Sequence, residues 1–165
     1  MSEQLHPRSF AHVGITVPDI EAALDWYTDV LGFEFLMGPM DVTRGEDHIG
    51  ELLDDVLADY DYESARIAHT TTGNGVGVEF FEFDTTSENA EPEPTRSGPF
   101  HICVVDPDVQ GLAERIAEAG GEQTSEVWHL FPDQEYRLVY CEDPYGNLIE
   151  VYSHSYEQIY SNQDE

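Results

Sequence analysis

The sequence predicts an α+β fold built from two tandem βαβββ modules. Three observations predict it. Residues 12–20 read HVGITVPDI and residues 101–109 read HICVVDPDV; in this one register His12 meets His101, Pro18 meets Pro107, Asp19 meets Asp108 and Gly32 meets Gly121. Four identities in one register, with matching hydrophobicity between His and Pro, mark an internal repeat. Each copy is followed by apolar residues at helical spacing and then by strand-like runs separated by turn residues.

FAHVGITV (10–17) is a β-rich run bounded by Pro18. The next stretch places Ile20, Ala23, Leu24, Tyr27, Val30 and Leu31 on one helical face, with Asp19 as N-cap and Gly32 just past the end. FEFLMG (33–38) is a short strand, and RIAHTTT and VGVEFFEF form a hairpin closing at Gly73-Asn74-Gly75. A three-residue loop there sets His69 opposite Glu79. Residues 41–64 are an extra stretch, in which DHIGELLDDVL has the pattern of an amphipathic helix. In the second half FHICVV (100–105) is a strand. A helix carries Val109, Leu112, Ala113, Ile116 and Ala117 on one face and ends at Gly120-Gly121. Strands near 122–131, 135–142 and 147–153 follow, with turns at Pro132-Asp133 and at Asp143-Pro144-Tyr145-Gly146. Module one thus spans about 9–84 and module two about 99–154, joined by a polar, Pro-bearing linker over 85–98 and followed by a tail at 155–165, all within one domain.

Asp and Glu total 35 against six arginines and no lysine, for a formal net charge of −29. Such a surface repels phosphate backbones and anionic lipids, which excludes nucleic-acid and membrane partners. It suits very high salt, where self-repulsion is screened. No apolar run nears a membrane span and MSEQLHPRSF has no signal-peptide character, so the expected location is the cytoplasm. Cys103 and Cys141 lie in strand-like runs and are expected as buried free thiols.

Each half opens with a His on its first strand and ends with a Glu inside an apolar last strand: His12 and Glu79, then His101 and Glu150. A carboxylate on an apolar strand costs on the order of several kcal/mol in desolvation unless paired or metal-bound. Arg66 and Arg137 are the available ion-pair partners if both carboxylates are merely structural. The repetition favours the other reading, since two imidazoles and two carboxylates suit a divalent transition metal with positions left for water or substrate. His69, Trp128, His129, Tyr136 and Tyr140 lie on strands near these residues, with core packing as their default role; His6, His48 and His154 are expected at the surface without one.

The stretches HVGITVPDIEAALDWYTDVLGFEF, FHICVVDPDVQGLAERIAEAGG and EDPYGNLIEVY resemble the vicinal oxygen chelate superfamily. That family contains glyoxalase I, methylmalonyl-CoA epimerase, extradiol dioxygenases and the fosfomycin and bleomycin resistance proteins. The last stretch fits the family's D-P-x-G-N-x-x-E ending, and the likeness covers about residues 9–154. It implies that the two modules pair into a curved mixed sheet around a central metal-binding cavity, with His12, Glu79, His101 and Glu150 as ligands. Glu82 is the competitor of Glu79, but strand alternation puts it on the opposite face. A fourth ligand at Glu79 is similar to glyoxalase I; extradiol dioxygenases use two His and one Glu with Fe(II). The resemblance implies a metal-dependent lyase or isomerase of glyoxalase-I type using one Ni, Co, Zn or Mn ion. Glu150, and Glu79 beside it, would remove a proton next to a carbonyl, and the metal would stabilise the enediolate. The alternatives are an Fe(II) extradiol-type dioxygenase and a metal-free small-molecule binding or resistance protein. The implied partners are a small-molecule carbonyl or thioester-like substrate and a second copy of the chain, as a homodimer. Anionic thiol cofactors such as glutathione or coenzyme A would have only the six arginines to meet them.

Overall fold

Alternation along the strands decides what each sheet face carries, and the computed structural model describes residues 7–87 and 93–161. They fall into two compact units, Met1–Thr86 and Ser87–Glu165. The first contains β1 (His12–Thr16), α1 (Ile20–Leu31), β2 (Glu34–Thr43), α2 (His48–Val56), β3 (Ser64–Thr71) and β4 (Gly77–Phe83). Its sheet runs in the order β1-β4-β3-β2, with β1 parallel to β4 and the remaining pairs antiparallel. Ile15, Val17, Val78 and Phe80 are buried on the face that receives α1, where the rings of Tyr27 and Phe80 lie 4.8 Å apart. As the sequence predicts, Asp19 caps α1 by accepting from the Ala22 N–H at 3.0 Å, and Gly32 ends it at φ 69°, a conformation that favours glycine. Glu82 accepts from the Ile20 N–H at 2.7 Å, which places this carboxylate at the helix start, on the face opposite Glu79 as strand alternation predicts.

The strand expected over 33–38 is longer and continues through Pro39 to Thr43. β2 lies at the sheet edge, where the missing N–H of a proline is tolerated. The expected helix in 41–64 is present as α2. Its Leu53 joins Val42, Tyr62, Ala65 and Ile67 in a second small core, with Phe81 and Phe83 packed against it. Arg44 holds this excursion. Its guanidinium bonds Asp54 at 2.5 Å and the carbonyls of Ala58, Tyr60 and Tyr62 at 3.0–3.3 Å, and lies 4.8 Å from the Tyr62 ring centre.

The second unit contains β5 (His101–Val105), α3 (Val109–Glu118), β6 (Glu122–Gln123), β7 (Trp128–His129), β8 (Arg137–Glu142), β9 (Leu148–Tyr152) and α4 (Tyr156–Tyr160). The order is β5-β9-β8-β6, with β7 also against β8 and β5 parallel to β9. The repeat is therefore structural: each unit is βαβββ with its first strand parallel to its last. Two expectations are corrected. The strand over 122–131 is two short pieces, because the N–H groups of Thr124 and Ser125 both turn onto the Tyr140 carbonyl, at 2.9 and 3.2 Å. Ala117 is exposed while Val109, Leu112, Ala113 and Ile116 are buried. The Asp143 turn closes as its residues suggest: Asp143 Oδ1 accepts from the N–H groups of Tyr145 and Asn147, and its Oδ2 from the Asn147 side chain, at 2.8–2.9 Å. No helix of the described residues is long and apolar enough to cross a membrane.

Candidate functional site

Glu79 is the third residue of β4 and Glu150 the third of β9. In the parallel pairings Glu79 lies beside Gly14 and Glu150 beside Cys103, each two residues after the His that opens the neighbouring strand. Side chains two apart on a strand share a face. Both units therefore set one imidazole and one carboxylate on the face turned away from their long helix.

In the first unit His12 Nε2 lies 3.6 Å from Glu79 Oε2, and His69 Nδ1 lies 3.7 Å from Glu79 Oε1. The hairpin closes with Thr72 bonded to Val76, which pairs His69 with Glu79 as the three-residue loop predicts. These residues line an open depression of about 400 Å³ with Leu36, Thr70, Gly77 and Val78. The Glu79 side chain is 23 % exposed.

In the second unit His101 Nε2 lies 3.2 Å from Glu150 Oε2, and Glu150 is 5 % exposed. His101 packs against the rings of Phe100 and Tyr140, and its Nδ1 is buried with no hydrogen-bond partner. Cys103 on β5 and Tyr140 on β8 are the strand partners on either side of Glu150. The Cys103 thiol is pushed up to about 12, first by burial and then by the Glu150 charge. Tyr140 is raised above the ordinary tyrosine range, first by burial and then by the neighbouring Glu150 carboxylate. Tyr152, two residues beyond Glu150, is raised by burial and by a bond to Tyr160.

The ion-pair reading of the two carboxylates fails. Arg66 bonds Glu21 at 2.6 Å and lies 3.6 Å from Glu82 and Asp41, on the α1 face. Arg137 alternates with Leu138 and Tyr140 and so falls on the face opposite Glu150. Neither carboxylate has an arginine partner; each has histidine.

Sequence reasoning missed Cys103 and Tyr152, although period-two counting from His101 and Glu150 reaches both. The cysteines are free as expected, but only Cys141 is buried; Cys103, on the edge strand β5, is exposed. Core packing does not describe Trp128, which is 61 % exposed, or His129, which is exposed with Nδ1 2.9 Å from the Gln134 carbonyl. Tyr136 is half-buried against His154, and His48 is exposed at the start of α2. His6 lies outside the described residues.

The donor set fits a divalent metal. Two ligands about 2.1 Å from one ion and adjacent on it lie about 3.0–3.4 Å apart, close to the separations within the two pairs. Among the described residues no group of three or more His, Cys, Asp or Glu side chains is placed to hold an ion.

A model of the Glyoxalase/Bleomycin resistance protein/Dioxygenase superfamily matches residues 9–151. A 2-epi-5-epi-valiolone epimerase from an Actinomyces species is 27% identical over 144 residues, covering 85% of this chain and 76% of that protein. Among solved structures, a glyoxalase family protein from Bacillus cereus superposes with a TM-score of 0.71 at 22% identity, covering 92% of this chain and 97% of its own. A glyoxalase I mutant from Zea mays gives a TM-score of 0.61 at 19% identity, covering 88% of this chain and 44% of its own. These structural likenesses concern the fold.

Proposed function

Because the chain belongs to the glyoxalase/bleomycin resistance protein/dioxygenase superfamily, we propose that it is a lyase or isomerase that removes a proton from the carbon next to a carbonyl, and that His12, Glu79, His101 and Glu150 together hold one divalent metal ion. One observation carries the reading: an imidazole–carboxylate pair is built twice, at equivalent strand positions, with no arginine on either carboxylate. Bound there, Ni, Co, Zn or Mn would supply Lewis-acid polarisation of two vicinal substrate oxygens. Glu150 is the base. It is nearly buried and lies 3.2 Å from the His101 imidazole, the placement of a group that exchanges a proton with a bound substrate rather than with solvent. Glu79, flanked by His12 and His69, is the second carboxylate, as a two-base reaction needs. The epimerase relative, an isomerase by name, favours this class.

The substrate is neutral. The strands carry no cation on the face of either carboxylate: Arg66 is committed to Glu21, Glu82 and Asp41, and Arg137 points to the other face. A phosphate or thiol-peptide carboxylate would find no arginine there.

The test is metal analysis of protein purified in high salt, followed by α-proton exchange in deuterium oxide with neutral hydroxy ketones, thiohemiacetals and acyl thioesters. One equivalent of Ni, Co, Zn or Mn and exchange on a neutral hydroxy ketone are expected. Fully loaded protein that exchanges none of them ends the proposal, and oxygen-sensitive iron turns the reading toward a dioxygenase.

A further inference from the structure

The tail beyond β9 is fastened at every step. Ser153 extends the pairing with Arg137 by two bonds, its N–H to the Arg137 carbonyl at 2.9 Å and the Arg137 N–H to its Oγ at 2.8 Å. Ser155 caps α4 by accepting from the Gln158 N–H at 3.3 Å. Ile159 is fully buried, and the Tyr136 hydroxyl donates to the Gln158 carbonyl at 3.4 Å. A helix of five residues does not hold itself in water; these anchors hold it. What they fix in place is Tyr160. Its hydroxyl lies 3.0 Å from that of Tyr152, and its ring packs edge-on to Phe131 and beside Tyr156.

Tyr152 shares a face with Glu150, and Tyr140 is paired directly opposite Glu150 on β8. α4 therefore brings a third phenol to a face that already carries two phenols and a carboxylate. Two phenols joined by one hydrogen bond own two hydrogens and use one. Tyr152 is 6 % exposed, and Tyr160, 38 % exposed, is its hydroxyl's partner among the described residues. A buried hydroxyl hydrogen without an acceptor is costly. The favoured polarity has Tyr152 donate to Tyr160, which leaves the Tyr160 hydrogen without an acceptor among the described residues.

We propose that Tyr160 is a specificity-determining residue, whose hydroxyl donates to a hydroxyl oxygen of a neutral polyhydroxylated substrate while the reacting carbon lies at Glu150. It rests on the reading of Glu150 as the base. A phenol donor next to a carboxylate suits an alcohol, which accepts from one and donates to the other. An anion gains the donor but is repelled by Glu150.

The test is ligand-observed NMR titration of metal-loaded protein in high salt with two probes, a pentahydroxycyclohexanone and 2-hydroxycyclohexanone. The parent is expected to bind the first about tenfold more tightly, the size of one or two neutral hydrogen bonds. Tyr160→Phe, which keeps the ring and its packing, should reduce that preference to about twofold with 2-hydroxycyclohexanone affinity unchanged, while the melting temperature falls because Tyr152 loses its acceptor. Tyr156→Phe, on the same helix, should keep the parent's preference. A parent that does not discriminate, a parent that binds neither probe, or a Tyr160→Phe variant that still discriminates each overturns the assignment. Exchange by Glu150→Gln at the parent's rate would instead remove the base while leaving the binding preference to decide Tyr160.

Discussion

Glu79 and Glu150 hold the same position in their modules but not the same surroundings. Glu150 is nearly buried, with Cys103 and Tyr140 paired to it on the neighbouring strands, whereas Glu79 is partly open to solvent between two imidazoles. The two carboxylates therefore differ in their access to water, and this gives unequal expectations for conservative changes. Glu150→Gln keeps an oxygen donor and should retain most of the metal while α-proton exchange falls about 10²-fold or more; Glu79→Gln should cost less. Exchange at the parent's rate in Glu150→Gln at equal metal content would make Glu150 a ligand only. His12→Ala or His101→Ala should mainly lower metal occupancy, with activity partly restored by excess metal; full occupancy in both would remove them from the ligand set. The pairings His12 with Glu79 and His101 with Glu150 were legible because each motif occurs twice and strands alternate. His69 was legible from loop length alone. Arg66 and Arg137, the ion-pair partners of the alternative reading, lie on the faces opposite Glu79 and Glu150. Tyr160 was out of reach, since its place depends on burial of Ile159 rather than on any local pattern.

At the scale of elements, the repeat aligns Gly32 with Gly121, yet the two do different work. Gly32 takes the left-handed conformation after α1; after α3 that role falls to Gly120, at φ 90°. Gly121 is needed for space instead, since a methyl group there would stand 2.4 Å from the Glu142 carbonyl oxygen and 2.8 Å from Ile116. Gly121→Ala should therefore destabilise the second unit by about 1–3 kcal/mol, as overpacking does, read as a lower urea midpoint with an unchanged slope. No loss would mean that β8 can retreat from α3. The helices were legible because cap, apolar stripe and terminal glycine agree. β2 was not, because Pro39 reads as punctuation, and only its edge position makes a proline acceptable within it. The pieces at β6 and β7 escaped for the opposite reason: a β-like run is interrupted by turns onto one carbonyl that no local signal announces.

The whole molecule carries 35 acidic residues against six arginines, and two of those arginines are committed internally, Arg44 to Asp54 and Arg66 to Glu21, Glu82 and Asp41. Association must work against this charge. The edge strand β2 exposes Phe35, Leu36 and Met37, and an open apolar edge invites pairing with a second copy. A homodimer is expected at high salt, and sedimentation showing only monomer across a wide concentration range would sink it. Salt acts on folding by the same physics. In dilute buffer the carboxylates repel one another over a screening length of roughly 30 Å at 0.01 M, which shrinks to about 3 Å at 1 M. The unfolded chain spreads the same charge over a larger volume, so repulsion weighs more heavily on the compact state, and screening it favours folding. The thermal midpoint should accordingly rise steeply with potassium chloride into the molar range. Sucrose favours compact states by exclusion from the surface without screening charge, so an isosmotic sucrose series should give a much smaller rise. A midpoint that is flat in potassium chloride, or that climbs equally in sucrose, would show that the acidic surface is not adapted to salt.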